Sequence, residues 1–132
     1  MLPMLQSPLA RRFVALCVPF LAVMVVDGSV TLLGQPAEYW SGDRGRVVEW
    51  SLTFNDLLRT GPVALVAGLL GVAAMVCALV LLLPRTLAMG TAFAGIIGHT
   101  WGAATWLPAR FHFSYAQCHL FFCCVAFGSS PK

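Results

Sequence analysis

The sequence contains few charged residues. Only 10% of its 132 residues are Asp, Glu, Lys or Arg, while 59% are hydrophobic. Soluble domains carry roughly a quarter charged residues, so this composition excludes an ordinary soluble fold and a disordered chain. The eight Lys and Arg residues, which leave a net charge of +3, are scattered singly or in pairs. Because no basic cluster can follow a phosphate backbone, nucleic acid is excluded as a partner.

Motifs for catalysis and metal binding are also missing. The chain has no Gly-x-Ser-x-Gly, no His-Glu-x-x-His and no glycine-rich phosphate loop, so no catalytic residue is predicted and an enzyme is the least favoured class. It has neither Cys-x-x-Cys nor His-x-x-x-His, so no metal site and no cofactor are predicted. The five cysteines lie in apolar runs, where thiols pack as small hydrophobic groups.

Long apolar runs are what the sequence has instead. Four runs, at about 13–34, 61–83, 86–107 and 111–127, predict transmembrane helices. The first is too long for a cleaved signal peptide, whereas the last is at the lower limit for a span, where a re-entrant or interfacial segment has the same pattern. The sequence therefore predicts an all-α fold: residues 1–132 form one integral membrane domain, a helical bundle of four transmembrane helices in a lipid bilayer.

The stretch 35–60 is the substantial polar loop between the first two runs. Its second half has Trp50, Phe54, Leu57 and Leu58 at the spacing of one helical face, which predicts an amphipathic helix on the membrane surface. Aromatic side chains prefer the headgroup level of a bilayer, and three residues of this loop suit it: Tyr39, Trp40 and Trp50.

Basic residues and proline add two expectations for the first span. Arg11 and Arg12 precede it and Arg85 follows the second span, which favours both termini in the cytoplasm. The arginines of the loop 35–60 favour the opposite orientation. Pro19 removes one backbone hydrogen bond and is expected to bend the helix.

Asp27 is the acidic side chain inside a predicted span. At 1.5 Å per residue it lies about 22 Å from the cytoplasmic edge, His99 about 21 Å and His119 about 17 Å from the same edge. We therefore expect an intramembrane polar cluster of Asp27, His99 and His119. Nearby hydrogen-bonding side chains are available to it: Ser29, Thr31, Thr100 and Gln117.

Three interpretations of this cluster remain open. A structural network would hold the helices together and is the leading one. A proton or ion relay uses the same residue types. A metal or haem site would need His99, His119 and Cys118.

Small residues recur every fourth position along the third run, at Gly90, Ala94, Gly98 and Gly102. This spacing predicts a face where another helix approaches closely. Either a helix of this chain, another membrane protein or a second copy is expected to pack there.

One succession of residues resembles a family of small bacterial multi-pass membrane proteins, a domain of unknown function. It consists of Asp27-Gly-Ser-Val-Thr31, Gly34-Gln-Pro, Tyr39-Trp40 and Glu49 before Phe54-Asn55, although this chain lacks the Asn-Pro that follows the glutamate in the family. The resemblance implies the inner membrane of a bacterium and no particular activity.

Overall fold

The computed structural model describes residues 7–49 and 51–111, together with residues 114, 116, 117, 120, 123 and 124. This part of the chain is all-α, with no strand. Its helices are α1 (Pro8–Leu33), α2 (Ala37–Trp40), α3 (Leu52–Thr60), α4 (Pro62–Leu82) and α5 (Arg85–Phe111), and a short 3-10 turn covers Arg44–Arg46.

Two of the described helices, α1 and α4, are long and apolar enough to cross a membrane. The third predicted span, 86–107, is helical within α5, but α5 does not meet the same criterion because His, Thr and Gly interrupt its apolar residues. The fourth predicted span, 111–127, falls largely outside the described residues. Within residues 7–111 there are thus two candidate membrane helices where the sequence predicted three.

Helix α1 is continuous but irregular. The side chain of Ser7 caps its first turn by accepting a hydrogen bond from the backbone N–H of Ala10 at 3.0 Å. Residues Phe13–Cys17 form a π turn, in which the N–H of Val18 donates to the carbonyl of Phe13. The expected disturbance at Pro19 therefore takes the form of a wider turn just before it, which relieves the clash between the proline ring and the preceding turn.

Helix α4 runs antiparallel to α1. Arg12 contacts Leu83, just after the end of α4, and Gly28 contacts Leu69. From the first contact to the second, residue numbers increase along α1 and decrease along α4. At the loop end, Gly61 adopts a φ of +143°, which lets α3 turn directly into α4. A left-handed φ of this kind favours glycine over any residue with a side chain.

Helix α5 runs parallel to α1 and forms its largest contact. Gly95 lies against the ring of Phe20, and Gly102 lies against Asp27. Gly102 follows Gly95 by seven residues, as Asp27 follows Phe20, so residue numbers rise together along the two helices. The apolar core fills the space between the three long helices and includes Cys17, Phe20, Leu65, Val80 and Ala92, among others.

The polar loop folds onto one end of these helices. The amide of Gln35 donates to the carbonyls of Thr31 and Val48, at 3.0 and 2.9 Å, and its oxygen accepts from the N–H of Val48 at 3.0 Å. The hydroxyl of Tyr39 donates to the carbonyl of Leu58 at 3.1 Å. Tyr39 is fully buried by this arrangement, and its hydroxyl holds the loop to α3.

The amphipathic helix predicted in this loop is present as α3. Ser51 caps it by accepting from the N–H of Phe54 at 3.4 Å. Its inward face consists of Phe54, Leu57 and Leu58, as the spacing indicated, while Leu52 is exposed. Trp50, the fourth residue of the predicted face, falls outside the described residues.

Candidate functional site

Asp27 and His99 meet between α1 and α5. Nδ1 of His99 donates a hydrogen bond to Oδ2 of Asp27 at 2.7 Å. Only 7% of Asp27 and 9% of His99 is exposed, so both polar side chains are buried. A bond of this length lies in the range of charge-assisted hydrogen bonds, and it gives each buried polar group a partner.

The parallel course of the two helices explains why the pair forms. Asp27 lies 15 residues beyond Arg12 on α1, and His99 lies 14 residues beyond Arg85 on α5. Arg12 lies near the level of Arg85, because it donates to the carbonyl of Leu83. Since the two helices run in the same direction, equal rise per residue brings the side chains to the same height. The depth argument made from the sequence therefore leads to the observed contact.

Gly102 determines how closely α5 can approach the carboxylate. A Cβ at this position would lie 2.9 Å from Oδ1 and 3.1 Å from Oδ2 of Asp27. These distances are shorter than ordinary van der Waals contact, so no side chain fits there without moving Asp27. The absence of a side chain at Gly102 lets the helices approach closely enough for the bond to His99.

Phe20 forms the apolar side of the site. Its ring centre lies 5.7 Å from that of His99, with the two rings tilted by 55°. Phe20 is itself completely buried, and a Cβ on Gly95 would lie 2.7 Å from its ring. The imidazole is therefore held between a carboxylate and an aromatic ring, which restricts its orientation.

Two of the side chains expected near the cluster have other hydrogen-bond partners. His119 falls outside the described residues. Ser29 donates instead to the carbonyl of Val25 at 2.7 Å within its own helix, and the side-chain oxygen of Gln117 accepts from the N–H of Ser114 at 2.8 Å. In the part of the chain that is described, the polar site consists of Asp27 and His99, and the participation of His119 stays a prediction.

The predicted small-residue face is divided between two environments. Gly102 contacts Asp27, whereas a Cβ at Gly90 or Gly98 would meet nothing within 4 Å, and Ala94 is exposed. Within the described chain, only the Gly102 end of this face is covered, and packing of another helix on the rest of it stays a prediction. A step of four residues advances about 40° beyond a full turn, so Gly102 is rotated by about 120° from Gly90.

Sequence reasoning missed Gly95, which packs against Phe20 although it does not belong to the predicted small-residue stripe. The signal that could have found it is the seven-residue spacing from Gly95 to Gly102, matched by Phe20 and Asp27 on α1. Seven residues return a helix to within about 20° of the same face.

The described residues contain no group of three or more His, Cys, Asp or Glu side chains that could hold a metal ion. The alternative metal or haem site also required His119 and Cys118, which are not described. Comparison with protein-family models, curated proteins and solved structures finds no match to this chain. The family resemblance drawn from the sequence stays a prediction.

Proposed function

We propose that this chain is a multi-pass protein of the bacterial inner membrane with a structural or interaction role, in which α1, α4, α5 and the segment 111–127 form four spans. Both termini are then cytoplasmic. The large apolar side chains exposed on α5 support a location in lipid, because water would disfavour such a surface. They are Leu87, Phe93, Ile97 and Trp101, each more than half exposed.

The hydrogen bond between Asp27 and His99 is the observation that carries the structural role. It joins α1 to α5 and fixes their relative height, since a shift of one turn would separate the two side chains by about 5.4 Å. A carboxylate inside a membrane is costly unless it is paired, so the pair also penalises any arrangement that turns Asp27 toward lipid.

The exposed part of the small-residue stripe supports an interaction role. Gly90, Ala94 and Gly98 lie on the outside of α5 with no atom of the described chain close to the two glycines. Small residues at this spacing allow a second helix to approach to backbone contact. The partner is then a transmembrane helix, from another membrane protein or a second copy of this chain.

A second candidate function is proton or ion translocation, and the same pair favours it. Aspartate and histidine both exchange protons, and intramembrane pairs of this type occur in proton relays. The two functions make different predictions for a side chain that keeps the hydrogen bond but cannot release a proton.

Replacement of Asp27 separates them. Asp27→Asn keeps an oxygen that accepts from His99 and should leave the stability in detergent within about 1 kcal/mol of wild type. Asp27→Leu leaves the imidazole without a partner and should cost about 1–3 kcal/mol. Asp43→Asn is the matched control, because that carboxylate is exposed and its contacts stay within the loop: a 3.8 Å ion pair with Arg46 and a hydrogen bond from the N–H of Gly45 at 3.1 Å.

Proton flux into liposomes is measured on the same variants. The structural role predicts no flux with wild type or Asp27→Asn. Flux with wild type that Asp27→Asn abolishes, at unchanged stability, would establish the translocator instead. Equal stability of Asp27→Asn and Asp27→Leu would show that the pair does not hold the helices together.

A further inference from the structure

The end of the helices opposite the polar loop carries Arg11, Arg12 and Arg85, and we call it the arginine end. Arg11 and Arg12 lie near the start of α1, and Arg85 begins α5. A terminal nitrogen of Arg12 donates to the carbonyl of Leu83, two residues before Arg85. Two residues span at most about 7 Å, so the connection between α4 and α5 places Arg85 next to the point where Arg12 is held.

The guanidinium of Arg12 has an incomplete set of partners. The side chain is partly buried, yet its Nε has no hydrogen-bond partner in the part of the chain that is described. Neither Arg12 nor Arg85 belongs to an ion pair of the described residues. A buried N–H without an acceptor costs free energy, and the cost is larger in a charged group. The arginine end is therefore a cationic surface whose charge the described chain does not balance.

The carboxylates of the chain lie far from this surface. All five acidic residues are in the described part: Asp27 is bonded to His99, and the other four lie between residues 38 and 56. Asp27 is 15 residues from Arg12, or about 22 Å along α1. Helix α4 separates the loop from the arginine end, and its 21 residues extend about 31 Å. An anion that pairs with these arginines therefore comes from another molecule.

Apolar side chains accompany the arginines on all three long helices. Leu9 on α1, Leu82 on α4 and Leu87 on α5 are each more than half exposed. Each lies within three residues of Arg12 or Arg85, so cationic and apolar groups occur at the same level of the molecule. The ligand that fits this surface carries an anionic group next to hydrocarbon, which a phospholipid does and a free phosphate ion does not.

We propose that the arginine end binds the phosphate group of an anionic phospholipid, with Arg12 and Arg85 on its oxygens and the three leucines along its acyl chains. Guanidinium groups donate paired hydrogen bonds to phosphate oxygens. Basic pockets between membrane helices on the cytoplasmic side bind lipid headgroups in this way. The proposal rests on the membrane location and orientation proposed above, and not on the role of the buried pair of Asp27 and His99.

The charge balance favours an anionic headgroup over a zwitterionic one. Both kinds of lipid have a phosphate, but a zwitterionic headgroup also brings an ammonium group among the arginines. The nearest carboxylate that could receive this ammonium is Asp27, about 22 Å along α1 from Arg12 and already bonded to His99. Repulsion between like charges therefore disfavours the zwitterionic lipid.

The test uses the full chain in an uncharged detergent, to which phosphatidylglycerol, phosphatidylcholine with the same acyl chains, or inorganic phosphate is added. A ligand that binds the folded state raises the melting temperature, and the concentration dependence of this rise gives an apparent Kd. We expect phosphatidylglycerol to bind more tightly than phosphatidylcholine, and inorganic phosphate to have no effect. Equal affinity for the two lipids would overturn the proposal. A rise of the same size with inorganic phosphate would assign the site to a soluble anion instead.

Substitutions at the arginine end locate the effect. Arg12→Gln and Arg85→Gln should each raise the apparent Kd for phosphatidylglycerol about 5-fold or more, because each removes one positive charge at the membrane surface. Arg85→Lys keeps the charge and should retain most of the affinity. Arg85 is exposed, so Arg85→Gln and Arg85→Lys decide the outcome if Arg12→Gln does not fold.

Arg110→Gln is the matched control. Arg110 is exposed near the other end of α5, 25 residues or about 38 Å from Arg85, so its removal changes the net charge equally but should leave the Kd unchanged. An equal loss of affinity in Arg110→Gln would reduce the effect to net charge and overturn the proposal, as would an unchanged Kd in Arg85→Gln.

The membrane location has a separate readout. Release of the chain from cell membranes by alkaline carbonate without detergent would overturn the multi-pass location and the lipid site together. A chain that is released only by detergent, but binds the two lipids equally, would contradict the lipid site alone.

Discussion

Substitution of Gly102 by alanine tests the close approach of α5 to Asp27. The new Cβ would lie 2.9 and 3.1 Å from the two carboxylate oxygens, so Asp27 has to move away from its hydrogen bond to His99. Overpacking of this kind costs about 1–3 kcal/mol. Exchange of glycine for alanine inside a helix stabilises the helix by about 1 kcal/mol, because alanine has the higher helix propensity. The net destabilisation should therefore be at most about 2 kcal/mol.

Gly98→Ala is the matched control. It lies in the same helix, but a Cβ there meets nothing within 4 Å. The gain in helix propensity is common to both variants and cancels in their difference. That difference, about 1–3 kcal/mol, therefore reports the overlap with Asp27 alone.

The free energy of unfolding is measured for both variants by denaturant titration in the same detergent, followed by circular dichroism. Gly98→Ala should be as stable as wild type or slightly more stable, and Gly102→Ala less stable. Equal stabilities would refute the packing of Gly102 against the carboxylate. A large loss in Gly98→Ala would mean instead that a partner already covers the outer face of α5.

Two further predictions concern the loop and the topology. Tyr39→Phe removes the hydroxyl that donates to Leu58 and should cost about 1 kcal/mol of stability, whereas Trp40→Phe, at a half-exposed ring, should cost less; similar losses would assign the effect of Tyr39 to ring packing. In a cysteine-free background, cysteines introduced at Asp43 and Ser129 should react with impermeant maleimide from opposite sides of the membrane. Labelling of both from one side would contradict the four-span arrangement.

Much of the site followed from arithmetic along the chain. Arg12 and Arg85 marked the same edge of the membrane on two helices, and equal rise per residue placed Asp27 and His99 at the same height. The spacing of Phe54, Leu57 and Leu58 likewise identified the inward face of α3, because helical periodicity is a local property. Such predictions need no knowledge of how the helices are arranged around one another.

The faces of α5 could not be obtained in this way. Gly90, Gly98 and Gly102 share one spacing, yet only Gly102 contacts Asp27. Which small residue is enclosed depends on the rotation of α5 about its own axis, and that rotation is set by Phe20 and Asp27 on the neighbouring helix.

The sequence by itself determined the helical class, the long apolar segments, the amphipathic loop helix and the height of the polar residues, because composition, periodicity and rise per residue act along the chain. Only the tertiary structure decided which groups touch: Gly102 against Asp27, Gly95 against Phe20, and the hydroxyl of Tyr39 against the carbonyl of Leu58. These contacts depend on helix rotation and on the path of the loop. Each of these is fixed by packing between segments distant in sequence.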